Sequence, residues 1–182
     1  MKQIFTISGH AFSGKDSVAN FLKKKLDGNT LILHYADRLK DIAKNYLGWD
    51  GNKDFKGRSF LQFLGSDLVR IKLNKPLFWV KSVCDIIEII QDRYDYFCIP
   101  DCRFQNEVYY PMACFPNMVT TVYVNRLNFD NGFTVEQKEH MSETSLDNFN
   151  FDYIIESESG LDKLEIEIDK FLQNMNMKEE NL

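Results

Sequence analysis

Near its start the chain reads ISGHAFSGKDS, and in this stretch Gly9, Gly14 and Lys15 satisfy the spacing G-x-x-x-x-G-K. Residues of these types at this spacing suit one kind of chemistry. Glycines let successive backbone N–H groups turn inward around an anion, at the positive end of the helix that follows. The lysine adds a point charge to the β- and γ-phosphates of a bound triphosphate. On this reading Gly9, Ser13, Gly14, Lys15, Asp16 and Ser17 form the phosphate-binding loop. The alternative is a glycine-rich turn that only caps a helix.

One residue departs from the usual pattern. Asp16 stands where a hydroxyl residue normally reaches Mg²⁺. A carboxylate can hold the same hard cation, directly or through a water, because Mg²⁺ takes oxygen ligands and keeps several waters. Ser17, one place on, still offers a hydroxyl to phosphate. A carboxylate this close to a triphosphate is tolerable only with a metal between them, so Asp16 predicts strict metal dependence. An acid in the first helical turn also favours the helix dipole without any metal.

The elements that must position these residues can be read from periodicity. Ile4 to Ile7 is a β-favouring run, and after the loop Val18, Phe21, Leu22 and Leu26 recur at helical spacing. Leu31 to Tyr35 reads as a second strand, and Ala36 to Gly48 as a helix closed by glycine. Residues 57 to 93 read as two helices broken near Asn74, Lys75 and Pro76. Further strands are expected at Tyr96–Pro100, Met118–Val124 and Phe151–Ile155. The last helix carries Leu161, Leu164, Ile168, Phe171 and Leu172 on one face, and the tail from Asn176 to Leu182 is expected to be unstructured. Strands alternating with helices predict an α/β fold with a parallel five-stranded sheet flanked by helices. Ligands then sit at the carboxyl ends of the strands, which singles out the loop at Gly9, Asp37, Asp101 with Arg103, and Arg126.

Composition narrows the classes. A chain of 182 residues is one domain on the size prior, with 44% hydrophobic and 27% charged residues. A net charge of −5 without a basic run argues against nucleic acid or an anionic membrane as main partner. Any phosphate ligand therefore requires cations concentrated locally. The N-terminus lacks the features of a signal peptide, and no apolar run reaches the length of a membrane span. The four cysteines form no CxxC pair, so a zinc site is not expected and a reducing, cytoplasmic setting is.

With these residues in view, the chain resembles the phage-type deoxynucleoside monophosphate kinases, relatives of the small P-loop nucleotide kinases. The resemblance rests on GHAFSGKDS, ADRLK (36–40), GRSFLQFLGSDLVR (57–70), PDCRFQNE (100–107) and HMSETSLD (140–147), continues through FDYII (151–155) and the final helix, and so covers nearly the whole chain. Arg38 stands where such kinases often show proline, and the last strand is followed by ESESG, without the asparagine expected before the glycine of a donor-base loop. The resemblance implies a three-layer P-loop kinase, with an acceptor-binding helical segment at about 50–93 and a lid at about 127–150. It implies ATP and a deoxynucleoside monophosphate as substrates, Mg²⁺ as cofactor, and a host cytoplasm if the source is viral. A homodimer is compatible with it. A phosphomevalonate kinase group shares the G-K-D loop, and a non-catalytic nucleotide switch is the third reading.

Roles follow from the reaction. Phosphoryl transfer between two anions needs positioning and neutralising charge. The resemblance implies that Arg70 holds the acceptor phosphate, with Arg58 and Gln62 nearby. Arg58 and Arg70 are twelve residues apart, which on an ideal α-helix puts them about 120° apart around the axis. They then share a cleft only if it wraps the helix. Asp101 is the candidate to orient Mg²⁺ through water beside Asp16, Arg103 reaches phosphate or acceptor, and Asp37 reaches sugar or base. Arg126 would supply charge to the transferring group, with Lys15, Arg70 and Asp101 completing the catalytic set. Asn106 and Glu107 are candidates to brace the turn after Asp101, and His140 and Glu143 to join the lid or tie it to the core.

Overall fold

The computed structural model describes residues 1–130, 132–158 and 160–179, with side chains through Met175. Its strands are β1 (Gln3–Ser8), β2 (Thr30–Ile32), β3 (Tyr96–Ile99), β4 (Val119–Arg126) and β5 (Tyr153–Ser157). They form one sheet in the order β2-β3-β1-β4-β5, every neighbouring pair parallel. The helices are α1 (Lys15–Lys25), α2 (Tyr35–Tyr46), α3 (Phe55–Gln62), α4 (Phe78–Ile90), α5 (Gln105–Cys114), α6 (Val135–Glu139), α7 (Met141–Thr144) and α8 (Leu161–Glu179).

Alternating side chains split the sheet into two buried faces. Phe5, Ile7, Cys98 and Val122 meet Val18 and Leu22 of α1 and Leu164, Ile168 and Phe171 of α8. Ile4, Phe97 and Ile99 meet Val80, Val83 and Ile87 of α4 and Val108 of α5. The result is the expected three layers, with the parallel sheet in the middle.

Five details differ from the sequence expectation. Strand β2 stops at Ile32, and Tyr35 already opens α2. Its helix start is capped from outside: the Asp101 carboxylate accepts the N–H groups of Tyr35 and Ala36, both at 2.9 Å. Helix α5 was not expected at all, since Pro111 lies within it and apolar periodicity is weak there. Strand β5 runs two residues later than expected. The helix α8 continues through Glu179, beyond the expected end of structure, while residues 180–182 fall outside the described residues. Within α8, Leu161 stays exposed although it lies on the expected stripe.

The segment after α3 sets the geometry of the site. Helix α3 passes into π-helical turns over Phe63–Lys72. Bonding from i to i+5 puts more residues in each turn, so each residue rotates less about the axis. Arg70 is thereby brought back from the 120° offset of an ideal α-helix toward the face of Arg58, and both line one cavity.

Candidate active site

The loop between β1 and α1 has the shape its spacing predicts. Gly9 has φ 139°, and a Cβ there would stand 2.3 Å from the Val124 carbonyl oxygen and 2.7 Å from Ser13 Oγ. Only glycine lets the loop pass so close to β4. The Ser13 hydroxyl is buried and has no hydrogen-bond partner among the described residues. The Lys15 ammonium turns back into the loop and donates to the carbonyls of Gly9 and His10, both at 2.7 Å. Burial lowers its pKa to about 8, with the Arg103 charge acting in the same direction.

Beside the loop, Asp16 is only partly engaged. Its Oδ1 lies 3.0 Å from His34 Nε2, and its side chain is 77% exposed. The hydrogen bond to His34 is the main reason its pKa is lowered, and the same bond raises the pKa of His34. Asp101 faces the same space, with each of its oxygens already accepting one α2 backbone N–H. Asp37 does not line the cavity and pairs with Lys40 at 2.8 Å. His34 was missed because the expected strand ran through it. A strand end placed three residues too late moved attention from His34 to Asp37.

The arginines are held by a connected set of carboxylates and carbonyls. Arg70 pairs with Glu107, donates to the Pro76 carbonyl at 3.0 Å, and lies 4.2 Å from the centre of the Phe104 ring. The other Glu107 oxygen accepts the N–H of Arg103 at 2.7 Å and of Phe104 at 3.1 Å. Glu107 thus caps α5 and fixes Arg70 at once, while Asn106 donates to the Pro76 carbonyl at 2.6 Å. Arg103 pairs with Glu143 of α7, whose second oxygen accepts the Ala11 N–H of the loop at 3.1 Å. His140 lies 3.8 Å from Asp67, a further link between this segment and the π-helical turns. Arg126 donates to the Phe12 carbonyl at 3.2 Å and stacks on Phe129 at 3.8 Å.

These elements enclose a cavity of about 660 Å³. It is lined by Gly14, Lys15, Asp16 and Ser17 of the loop, and by Arg58, Gln62, Arg70, Asp101, Arg103 and Arg126. Gly9 and Ser13 shape the loop from behind and do not line it. Lys40 and Lys53 add two cations that motif reading did not single out. Seven Lys and Arg side chains thus line the cavity against four carboxylates, in a chain whose net charge is −5. The local concentration of positive charge that a phosphate ligand demands is present.

A family model described as deoxynucleotide monophosphate kinase matches residues 34–168, well over half of the chain. The chain belongs to that family. The match begins after the glycine loop, so the loop at 9–17 and the family match are separate observations that agree. No curated protein sequence matches the chain. Among solved structures, it is similar to a dephospho-CoA kinase from Campylobacter jejuni at TM-score 0.53 and 13% identity, covering 94% of this chain and 96% of that one. It is also similar to an unliganded sugar kinase from a Janibacter species at TM-score 0.52 and 11% identity, covering 97% and 95%. At such identities the likeness concerns the fold, which is that of a P-loop kinase.

For this kinase, the donor set suits Mg²⁺. The second oxygen of Asp16 has no hydrogen-bond partner among the described residues and its side chain is open to the cavity. Asp101 has both oxygens engaged by N–H groups, which favours contact through water over direct ligation. A hard cation held by one carboxylate, waters and phosphate oxygens needs no more than this. Among the described residues, no helix is long and apolar enough to cross a membrane.

Proposed function

We propose that this kinase moves the γ-phosphoryl group of ATP to the phosphate of a deoxynucleoside 5′-monophosphate, giving ADP and the diphosphate. The observation that carries the reading is that two separate sets of cations line one cavity. Lys15 comes from the phosphate loop, and Arg58 and Arg70 come from a separate helical segment. A protein that only binds a nucleotide has no need for the second set.

In this reading Lys15 and the loop N–H groups hold the donor phosphates, and Arg103 and Arg126 offset charge on the transferring group. Arg70, Arg58 and Gln62 orient the acceptor. Its phosphate has a second pKa near 6 and is largely deprotonated at neutral pH, so no general base is required. Asp16 would hold Mg²⁺ and Asp101 its waters, and the metal would neutralise the donor phosphates. Segment 127–150 serves as a lid, with Glu143 joining it to both the loop and Arg103.

The test is ADP production with ATP, Mg²⁺ and each of the four deoxynucleoside monophosphates and their ribose counterparts. Stimulation by one or a few deoxynucleotides is expected. No stimulation by any, with ATP still bound, would move the reading to a non-nucleotide phosphate acceptor or a switch. A second expectation concerns the metal. Asp16→Asn should raise the Mg²⁺ concentration for half-maximal rate by roughly tenfold or more, since losing a ligand or its support weakens metal sites by such factors. Titration of rate against Mg²⁺, with Mn²⁺ binding followed by EPR, checks it.

A further inference from the structure

Between α2 and α3 the chain forms a loop, 47–54, whose one cationic side chain is Lys53. This loop is fastened throughout. The Trp49 indole N–H donates to the Asn52 carbonyl at 3.1 Å, and Asp50 accepts the Asn52 N–H at 2.8 Å. Asp54 caps α3 by accepting the Gly57 N–H at 2.8 Å. The backbone of Gly57 approaches so closely that a Cβ there would stand 1.9 Å from the Asn52 carbonyl oxygen. Arg58 then donates from Nε to the Lys53 carbonyl at 2.9 Å. Lys53 and Arg58 are therefore two cations on one rigid corner of the cavity.

Both have donors to spare. The Lys53 ammonium lines the cavity and makes no hydrogen bond or ion pair among the described residues. Arg58 is stacked against Phe12 at 5.0 Å and Phe133 at 5.5 Å, and Nε is the nitrogen it has spent. Four of the other cations here are more committed: Lys15 to two carbonyls, Lys40 to Asp37, Arg70 to Glu107 and Pro76, Arg103 to Glu143. Burial, and after it the charges of Lys40 and Arg58, lower the pKa of Lys53. Like charges gathered at one corner cost free energy that an arriving anion relieves.

The Asp16 charge acts on Lys53 in the opposite sense and favours the ammonium. Neither Lys53 nor Arg58 belongs to the donor loop, yet the Arg58 guanidinium stacks on Phe12 of that loop. We propose that Lys53, together with the terminal nitrogens of Arg58, grips the phosphate of the acceptor where it meets the donor's γ-phosphate. This deepens the acceptor reading above and rests on it.

The experiment compares wild type, Lys53→Gln and Lys53→Arg. The glutamine variant should raise the acceptor KM by roughly tenfold, the scale of one lost charge-assisted hydrogen bond, and leave the ATP KM within about twofold. Arginine should restore most of the loss. In parallel, acetylation of Lys53 by acetic anhydride is followed by mass spectrometry with no ligand, ATP alone, inorganic phosphate, or a deoxynucleoside monophosphate. Protection by the monophosphate or inorganic phosphate supports the grip. If the wild type does use a deoxynucleotide and Lys53→Gln leaves its acceptor KM unchanged, the role of Lys53 alone is overturned. Protection by ATP only also overturns it and assigns Lys53 to the donor. If the wild type uses no nucleotide acceptor, the acceptor reading has failed. The inorganic phosphate footprint then decides separately whether Lys53 holds a phosphate.

Discussion

Replacing Lys15 with methionine should lower kcat by roughly a hundred- to a thousandfold, the usual loss when a preorganised charge at a developing anion is removed. The structure adds a pH signature to that expectation. Burial lowers the Lys15 pKa to about 8 in the ligand-free protein. The ammonium is the form that binds phosphate, so kcat/KM for ATP should hold below pH 8 and fall as pH rises through it. A bound triphosphate favours the charged lysine, so ATP binding near pH 8 should draw a proton from solution. Calorimetry in two buffers of different ionisation enthalpy measures that uptake, and Lys15→Met should abolish it. The linkage to stability has the opposite sense. The unfolded lysine titrates near 10.5 and the folded one near 8, so the unfolded state binds more protons between these values. This residue therefore makes the ligand-free protein more stable as pH rises across that window. ATP binding without proton uptake would show that the lysine is fully charged before ligand arrives.

The parts of the fold carried by short-range patterns were legible in the sequence. The strand, loop and helix around Lys15 are contiguous, and the alternation of Ile4 with Phe5 and of Phe97 with Cys98 sorts side chains onto two faces. What was not legible depends on partners far along the chain. Helix α2 begins where Asp101 caps it, 66 and 65 residues away from Tyr35 and Ala36. That distant cap is why the strand end, and with it His34, was misplaced. Helix α5 contains Pro111 and draws its cap from the same buried glutamate that holds Arg70. The π-helical winding that brings Arg70 toward Arg58 is a hydrogen-bonding pattern with no local residue signature. Lys53 looks in sequence like any solvated lysine in a polar turn; its position depends on how Trp49, Asn52 and Gly57 pack together.

Glu107→Ala should be the most destabilising single change near the site, at roughly 3–5 kcal/mol, the scale of breaking a buried ion pair by removing one partner. Glu107 is 2% exposed, and its two oxygens serve Arg70, the N–H of Arg103 and the N–H of Phe104. Alanine leaves the Arg70 guanidinium over the Phe104 ring without its carboxylate and removes the cap of α5. In a chain of this length the melting temperature should fall by about 10 °C. Arg70 would also lose its orientation, so acceptor KM should rise while ATP binding persists in whatever fraction stays folded. Stability and function can be separated by the double change Glu107→Leu with Arg70→Met. Replacing both charges with apolar groups of similar size removes the orphaned guanidinium, and such exchanges are often neutral or stabilising. The double variant should therefore recover much of the stability lost in Glu107→Ala and none of the acceptor affinity. Thermal melts and acceptor titrations on the three proteins test this directly. If the double variant melts as low as Glu107→Ala, the loss resides in the uncapped N–H groups of Arg103 and Phe104. The carboxylate would then matter to stability through the turn it closes, and to the reaction through the arginine it aims.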